Sequence, residues 1–224
     1  MKKEITTYYD QLANNYDTDR FANSYGKYIN KQENKIVRKY LSPNHIKNNL
    51  DIACGTGRFL LFADFGVDIS KKMVTFSKAK FSKKNIQIAD AENLPFKNNA
   101  INNALSFHLF MHLDLKQVKN IANEVHHVLN NDGLFIFDIP SKKRRKLTNY
   151  TSSGWHGANQ ASKKDILNSI EDKWNLVNYY GIAFFPIHRI PFRLRKYFIW
   201  LDTFLCNSIF KEYSSHLIFI LKKK

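Results

Sequence analysis

The sequence predicts an α/β protein in which helices cover a doubly wound, mostly parallel sheet. Short apolar runs alternate with amphipathic helical stretches along the chain. A glycine turn, Cys54-Gly55-Thr56-Gly57, closes the first such run, and acids end the next two, at Asp68 and Asp90. With 224 residues, 44% hydrophobic and 14% aromatic, the chain suits one packed domain rather than a disordered one.

Residues 4–17 and 22–41 read as two helices, the second stopped by Pro43, whose ring and missing N–H prevent continuation. Residues 49–53 form a short buried strand. Ser70 is placed to cap a helix carrying Met73, Val74 and Phe76. Strands follow at 86–89 and 100–106. Leu115, Val118, Ile121, Val125 and Val128 recur at helical spacing, so 115–129 is an amphipathic helix lying on the sheet. Asn131-Asp132-Gly133 then turns the chain into the apolar strand LFIFDI. Beyond a basic loop at 141–146, residues 162–170 read as helix, 176–185 as strand, 192–211 as helix and 216–221 as a last strand. In the helix from 192, Leu194, Phe198, Leu201, Leu205 and Ile209 form a stripe expected to pack on the sheet.

The N-terminus, MKKEITTYYDQ, has no apolar core and is not a secretory signal. The aromatic-rich stretches near the C-terminus are too short and interrupted to span a bilayer. Two cysteines, Cys54 and Cys206, make no disulfide framework, and a cytoplasmic setting is expected. The net charge of +16 invites a nucleic-acid or membrane reading. Lysines are scattered throughout, however, and the one dense cluster, SKKRRK, is not interleaved with aromatics, so compositional drift is favoured.

The glycine turn lets a ligand approach the backbone closely. A dinucleotide site would want a third glycine where Leu60 stands, and a P-loop would want lysine and a hydroxyl where Arg58-Phe59 stand. Asp68 ends a strand, where a carboxylate accepts from ribose hydroxyls. Asp90 ends the next strand and can accept from an adenine amino group. Together these describe an adenosine-binding crevice without a diphosphate.

Six stretches, YYDQLANNYD, LDIACGTGRFL, FGVDISKKMV, ADAENLPF, ALSFHLFMHL and EVHHVLNNDGLFIF, occur in an order and spacing that resemble the class I S-adenosylmethionine-dependent methyltransferases, especially the small-molecule and quinone-type branch. The resemblance covers roughly residues 8–140 and implies a Rossmann-like, seven-stranded sheet in a single domain. Residues 1–45 would be a helical lid, 46–140 the cofactor-binding core and 141–224 the substrate side. S-adenosylmethionine is the implied cofactor. Gly55 and Gly57 would face its methionine part, with Asp51 and Ala53 beneath. Asp68 would hold the ribose, Ile69 and Met73 would pack near the adenine, and Asp90 and Ala91 would meet the adenine edge. Ser106 and Phe107 would close the pocket, and Tyr16 and Arg20 would act from the lid. The chain departs from the family pattern between the glycine turn and Asp68, where RFLLFADFGVD compresses a helix and a strand.

Methyl transfer from a sulfonium is an in-line displacement accelerated by alignment, and a base helps only when the acceptor has a proton to lose. His112 is the candidate base, because the matching segment lines the family's substrate pocket. His108, His112 and Asp114 resemble a metal set, but Leu109 stands where H-E-x-x-H needs glutamate, and no metal is expected. His126 and His127 read as solvated or packing residues, Cys54 as a small buried residue, and Trp155-His156-Gly157 as a surface loop. The expected partner is a small-molecule methyl acceptor. The alternatives are RNA held by the 141–146 loop, or a lipid quinone at a membrane surface contacted by the aromatic C-terminal helix with Arg193, Arg195 and Lys196.

Overall fold

The computed structural model describes residues 2–42, 48–170 and 173–224; Pro43 lies outside them. Seven strands, β1 Asn49–Ile52, β2 Phe65–Asp68, β3 Asn85–Ile88, β4 Ile101–Ser106, β5 Leu129–Pro140, β6 Trp174–Ile182 and β7 His216–Lys223, form one sheet in the order β3-β2-β1-β4-β5-β7-β6. The strands from β3 to β5 pair in parallel; β7 runs antiparallel to both β5 and β6. All four residues of β1 are buried, as expected for a central strand covered on both faces.

The helices are α1 Lys2–Leu12, α2 Tyr16–Phe21, α3 Ser24–Tyr40, α4 Lys71–Lys80, α5 Leu115–Val128, α6 Lys142–Leu147, α7 Lys163–Ile170 and α8 Phe192–Asn207. Side chains alternate across β5: Phe135 and Phe137 join the core beneath α5 and α7, whereas Ile136 joins the core beneath α3. Asp114 and Gln117 close a capping box at the start of α5. Ser70 caps α4 by accepting from the Met73 N–H.

Several elements differ from the sequence expectation. The helix expected over 4–17 is broken at 13–15: Asn15 bonds back to Leu12, and α2 restarts beyond it with Asp17 and Asp19 in its first turn. No helix intervenes between β1 and β2; successive turns bury Phe59, Leu60 and Phe62 directly. The Asn131-Asp132-Gly133 segment is part of β5, where it produces a register shift against β4. The basic 141–146 segment is a helix, not a loop: Lys and Arg favour helix, and Ser141 caps α6 by accepting from the Arg144 N–H. The stripe expected to bury α8 stays largely outside, with Leu194 48% and Ile209 88% exposed. The buried residues of α8 are Asp202 and Cys206. Asp202 accepts from the Tyr28 hydroxyl at 2.6 Å, Gln32 Nε2 at 2.9 Å and the Phe185 N–H at 2.6 Å, pinning α8 to α3 by polar contacts.

Candidate functional site

The carboxyl ends of β1, β2 and β4 border a crevice roofed by α1 and α2. The chain leaves β1 through Ala53, whose φ of +54° is the left-handed region, and enters the glycine turn. Gly55 has φ +53°, and a Cβ built on it meets nothing within 4 Å, so its backbone borders open space. Gly57 differs. At φ +91° its Cβ would lie 2.6 Å from the Phe81 ring and 2.9 Å from Leu60, so it faces packed side chains rather than the crevice.

Asp68 clasps this turn. Its Oδ2 accepts from the Gly55 N–H and its Oδ1 from the Ser70 N–H, each at 2.8 Å. Burial drives its pKa up to about 6, against the opposing pull of those two N–H groups. Asp51 is fully enclosed, its Oδ2 has no hydrogen-bond partner, and burial holds its pKa well above the carboxylate range. Tyr16, Ala53, Gly55, Asp68, Ile69, Met73 and Phe107 line one stretch of the crevice. Asp90 and Ala91 line its continuation with Ala53, Asp68 and Ile69. Ser106 lines neither; it is fully buried and donates to the Ile52 carbonyl, bracing β4 on β1.

The lid is latched to the crevice rim. Lys2 Nζ lies 2.6 Å from Asp90 Oδ2 and also pairs with Glu92. Asp10 accepts from the Ser70 hydroxyl, and Asp17 from the Thr56 hydroxyl. Ile5 and Tyr9 of α1 fill space beside Asp68 and Ile69.

A cavity of about 260 Å³ adjoins the crevice and shares Tyr9, Tyr16 and His108 with it; Arg20, His156 and His216 complete much of its wall. His112 does not present a free nitrogen here. Its Nδ1 accepts from the Gly157 N–H at 3.1 Å, so the neutral ring carries its proton on Nε2, which lies 2.7 Å from the Tyr9 hydroxyl. Burial, with His156 and His108 alongside, pushes its pKa down to about 3. His112 therefore orients Tyr9 and has no lone pair left for a substrate proton, contrary to the role expected from the sequence. Asp114 is occupied in its cap and does not join the histidines.

Sequence reasoning missed a buried charged network. Glu33, wholly buried on α3, pairs with Arg58 and lies 3.0 Å from His108 Nε2. Asp138 accepts from the His108 N–H at 2.6 Å and sits 3.0 Å from His216 Nδ1. Burial disfavours the charges, yet the partners prevail: His108 is held above the usual histidine value, and His108 and His216 hold Asp138 down to about 2. An acid inside the apolar run LFIFDI was the readable signal. Arg145, from the basic segment, donates to the carbonyls of Gly157 and Asn159 at 2.6 and 3.0 Å, buttressing the loop that holds His112.

The arrangement defines an α/β protein with a crevice at its strand ends, next to a second cavity. The match to known proteins specifies it further. Residues 50–137 match the family model for a methyltransferase domain. An uncharacterized protein of Methanocaldococcus jannaschii is 31% identical over 242 residues, covering 99% of this chain and 92% of that one. A SAM-dependent methyltransferase of Thermotoga maritima superposes with a TM-score of 0.71 at 17% identity, covering 96% and 98% of the two chains. The geranyl diphosphate C-methyltransferase of Streptomyces coelicolor, solved with S-adenosyl-L-homocysteine, gives 0.62 at 12% identity over 100% and 97%. Residues 50–137 are a methyltransferase domain, the solved structures share its class I fold, and S-adenosylmethionine is the cofactor such a domain implies. The open space beside Gly55 and the unpartnered Asp51 carboxylate fit such a ligand.

Proposed function

We propose that this methyltransferase acts on a small-molecule acceptor held in the cavity lined by Tyr9, Tyr16, Arg20, His108, His156 and His216. That cavity, about 260 Å³ and continuous with the crevice through Tyr9, Tyr16 and His108, carries the reading. It suits a compact acceptor, and its walls are aromatic and imidazole groups with Asp19 and Arg20 at the edge. When bound, S-adenosylmethionine supplies the methyl group from its sulfonium. Asp68 receives the ribose hydroxyls, Gly55 lets the methionine part approach, Ile69 and Met73 pack near the adenine, and Asp90 with Ala91 meets its edge. Tyr9, fixed by His112, and Tyr16 exclude water above the reacting atoms. Two free, buried thiols agree with a cytoplasmic setting.

The basic segment gives the RNA alternative little support. Lys142 pairs with Asp165, Lys143 with Glu212, and Arg145 is spent on the 157–159 loop. The membrane alternative gains an observation: Phe192, Trp200 and Phe204 on α8 are 84%, 71% and 59% exposed. An apolar acceptor drawn from a bilayer surface is therefore the second reading. Among the described residues no helix is long and apolar enough to cross a membrane. Incubation with isotopically labelled S-adenosylmethionine and fractionated extract tests both. Label in low-mass polar metabolites supports the first reading and label in extractable lipid the second, whereas label confined to RNA or protein overturns both.

A further inference from the structure

Three side chains from the ends of three adjacent strands converge on the wall of the acceptor cavity. His108 follows β4 with φ +63°, in the left-handed region that few residues other than glycine adopt. Asp138 lies near the end of β5, and His216 opens the neighbouring β7, where it pairs with Pro140 two residues further on. One potential ligand atom from each of His108, Asp138 and His216 lies within 4.8 Å of those of the other two. Asp138 Oδ2 is 3.0 Å from His216 Nδ1 and 3.8 Å from His108 Nδ1. These separations bracket the roughly 3.3 Å between ligands on a tetrahedral ion with bonds of about 2.0–2.1 Å.

At 3.8 Å, His108 Nδ1 is too far from Asp138 Oδ2 for a hydrogen bond. The opposite nitrogen, Nε2, stands 3.0 Å from the wholly buried Glu33 carboxylate. A carboxylate behind a histidine is the usual outer partner that orients a ligating imidazole. The remaining oxygen of Asp138 is held by the His108 backbone N–H, which leaves Oδ2 to face the histidines. Both His108 and His216 line the large cavity, so a further coordination position would open into it.

We propose that His108, Asp138 and His216 form a binding site for a divalent transition-metal ion, with Glu33 as the outer-shell partner. Two imidazoles and one carboxylate suit zinc, cobalt, nickel or ferrous iron better than magnesium or calcium, which prefer all-oxygen shells. The open position takes an oxygen or nitrogen donor from whatever occupies the cavity, which would orient that donor and lower its pKa. His112 and Asp114, the partners suggested by spacing in the sequence, contribute nothing to this centre.

The test uses the full-length protein, stripped with a chelator and titrated with cobalt(II) as a spectroscopic probe, then with zinc. One equivalent should bind with visible ligand-field bands of a low-coordinate nitrogen–oxygen site. Glu33→Gln should weaken binding about 10- to 100-fold, the range for outer-shell partners, and His216→Ala should weaken it more. The His126→Ala/His127→Ala double variant, on the surface of α5, should leave it unchanged. Circular dichroism and binding of S-adenosyl-L-homocysteine verify that each variant is folded. Should a variant fail to fold, the wild-type cobalt spectrum still decides. Absence of the bands, or binding that follows the His126/His127 pair instead of His216, overturns the proposal. Since binding of S-adenosyl-L-homocysteine is read separately, failure of the metal site is distinguishable from failure of the cofactor reading.

Discussion

Acidification should weaken cofactor binding, because it neutralises a buried carboxylate; the stability that carboxylate contributes runs the other way and is opposed in the same window by His112, held down to about 3. Asp68 titrates at about 6 in the folded chain, against roughly 3.9 when exposed. Between those values this group binds more protons in the folded state than in the unfolded one, so its contribution to stability falls as pH rises through the window. A shift of about two pH units corresponds to roughly 3 kcal/mol of stability, present below about pH 4 and lost above about pH 6. Binding runs the other way if, as proposed, ribose hydroxyls donate to the ionised Asp68 carboxylate. At about pH 5 only one Asp68 in roughly ten is ionised, so affinity should fall about tenfold, near 1.4 kcal/mol, relative to pH 7.5. Calorimetric titration with S-adenosyl-L-homocysteine across that range measures the binding slope, and the difference between melts of wild type and Asp68→Asn isolates the carboxylate's share of the stability slope from that of His112. Asp68→Asn should flatten the binding profile. It should also weaken binding overall by about 1–3 kcal/mol, because an amide cannot accept from both the Gly55 and Ser70 N–H groups. An affinity constant with pH, or a slope that survives in Asp68→Asn, would refute the assignment.

Gly55→Ala should lose about 1–2 kcal/mol to its left-handed φ and bind cofactor poorly, since its Cβ enters the open crevice; Gly57→Ala should lose more stability, against Phe81 and Leu60, but less affinity, and the reverse pattern would exchange their roles. His112→Gln should lower turnover without moving the midpoint of the pH–rate profile, because a ring titrating at about 3 is not the working base. Lys142→Gln/Lys143→Gln/Arg144→Gln should leave methylation of a small acceptor nearly unchanged, whereas Arg145→Ala should reduce it by loosening the 155–159 loop, as limited proteolysis would register.

The strands were legible because apolar runs bounded by turns have few other outcomes, and Ser70 was legible as a cap because its hydroxyl has an orphan N–H to accept from. The crevice was legible to the extent that it consists of backbone turns and strand-end acids. What escaped depends on contacts remote in sequence. Glu33 sits among lysines and asparagines and reads as a solvated helix residue, yet Arg58 and His108 neutralise it in the interior. Helix α8 carries an apolar stripe that periodicity assigns to the core, but Tyr28, Gln32 and the Phe185 N–H satisfy Asp202 on the other side. Gly55 and Gly57 are alike in a motif; only the placement of Phe81 separates a ligand-facing glycine from a packing one. The environment of His112 was not legible, because the N–H that occupies its acceptor nitrogen comes from Gly157, 45 positions away.

The latch between Lys2 and Asp90 has a consequence for cofactor affinity. Where Asp90 is to receive an adenine edge, Lys2 competes with the ligand for the same carboxylate. Apparent affinity then equals intrinsic affinity multiplied by the fraction of molecules with the lid released. Lys2 and Asp90 are both partly solvated, and such a pair contributes about 0–1 kcal/mol, so the competition amounts to no more than a factor of about five. It weakens further as salt screens the pair. Where that competition operates, Lys2→Gln would make the enzyme bind its cofactor slightly more tightly, not less.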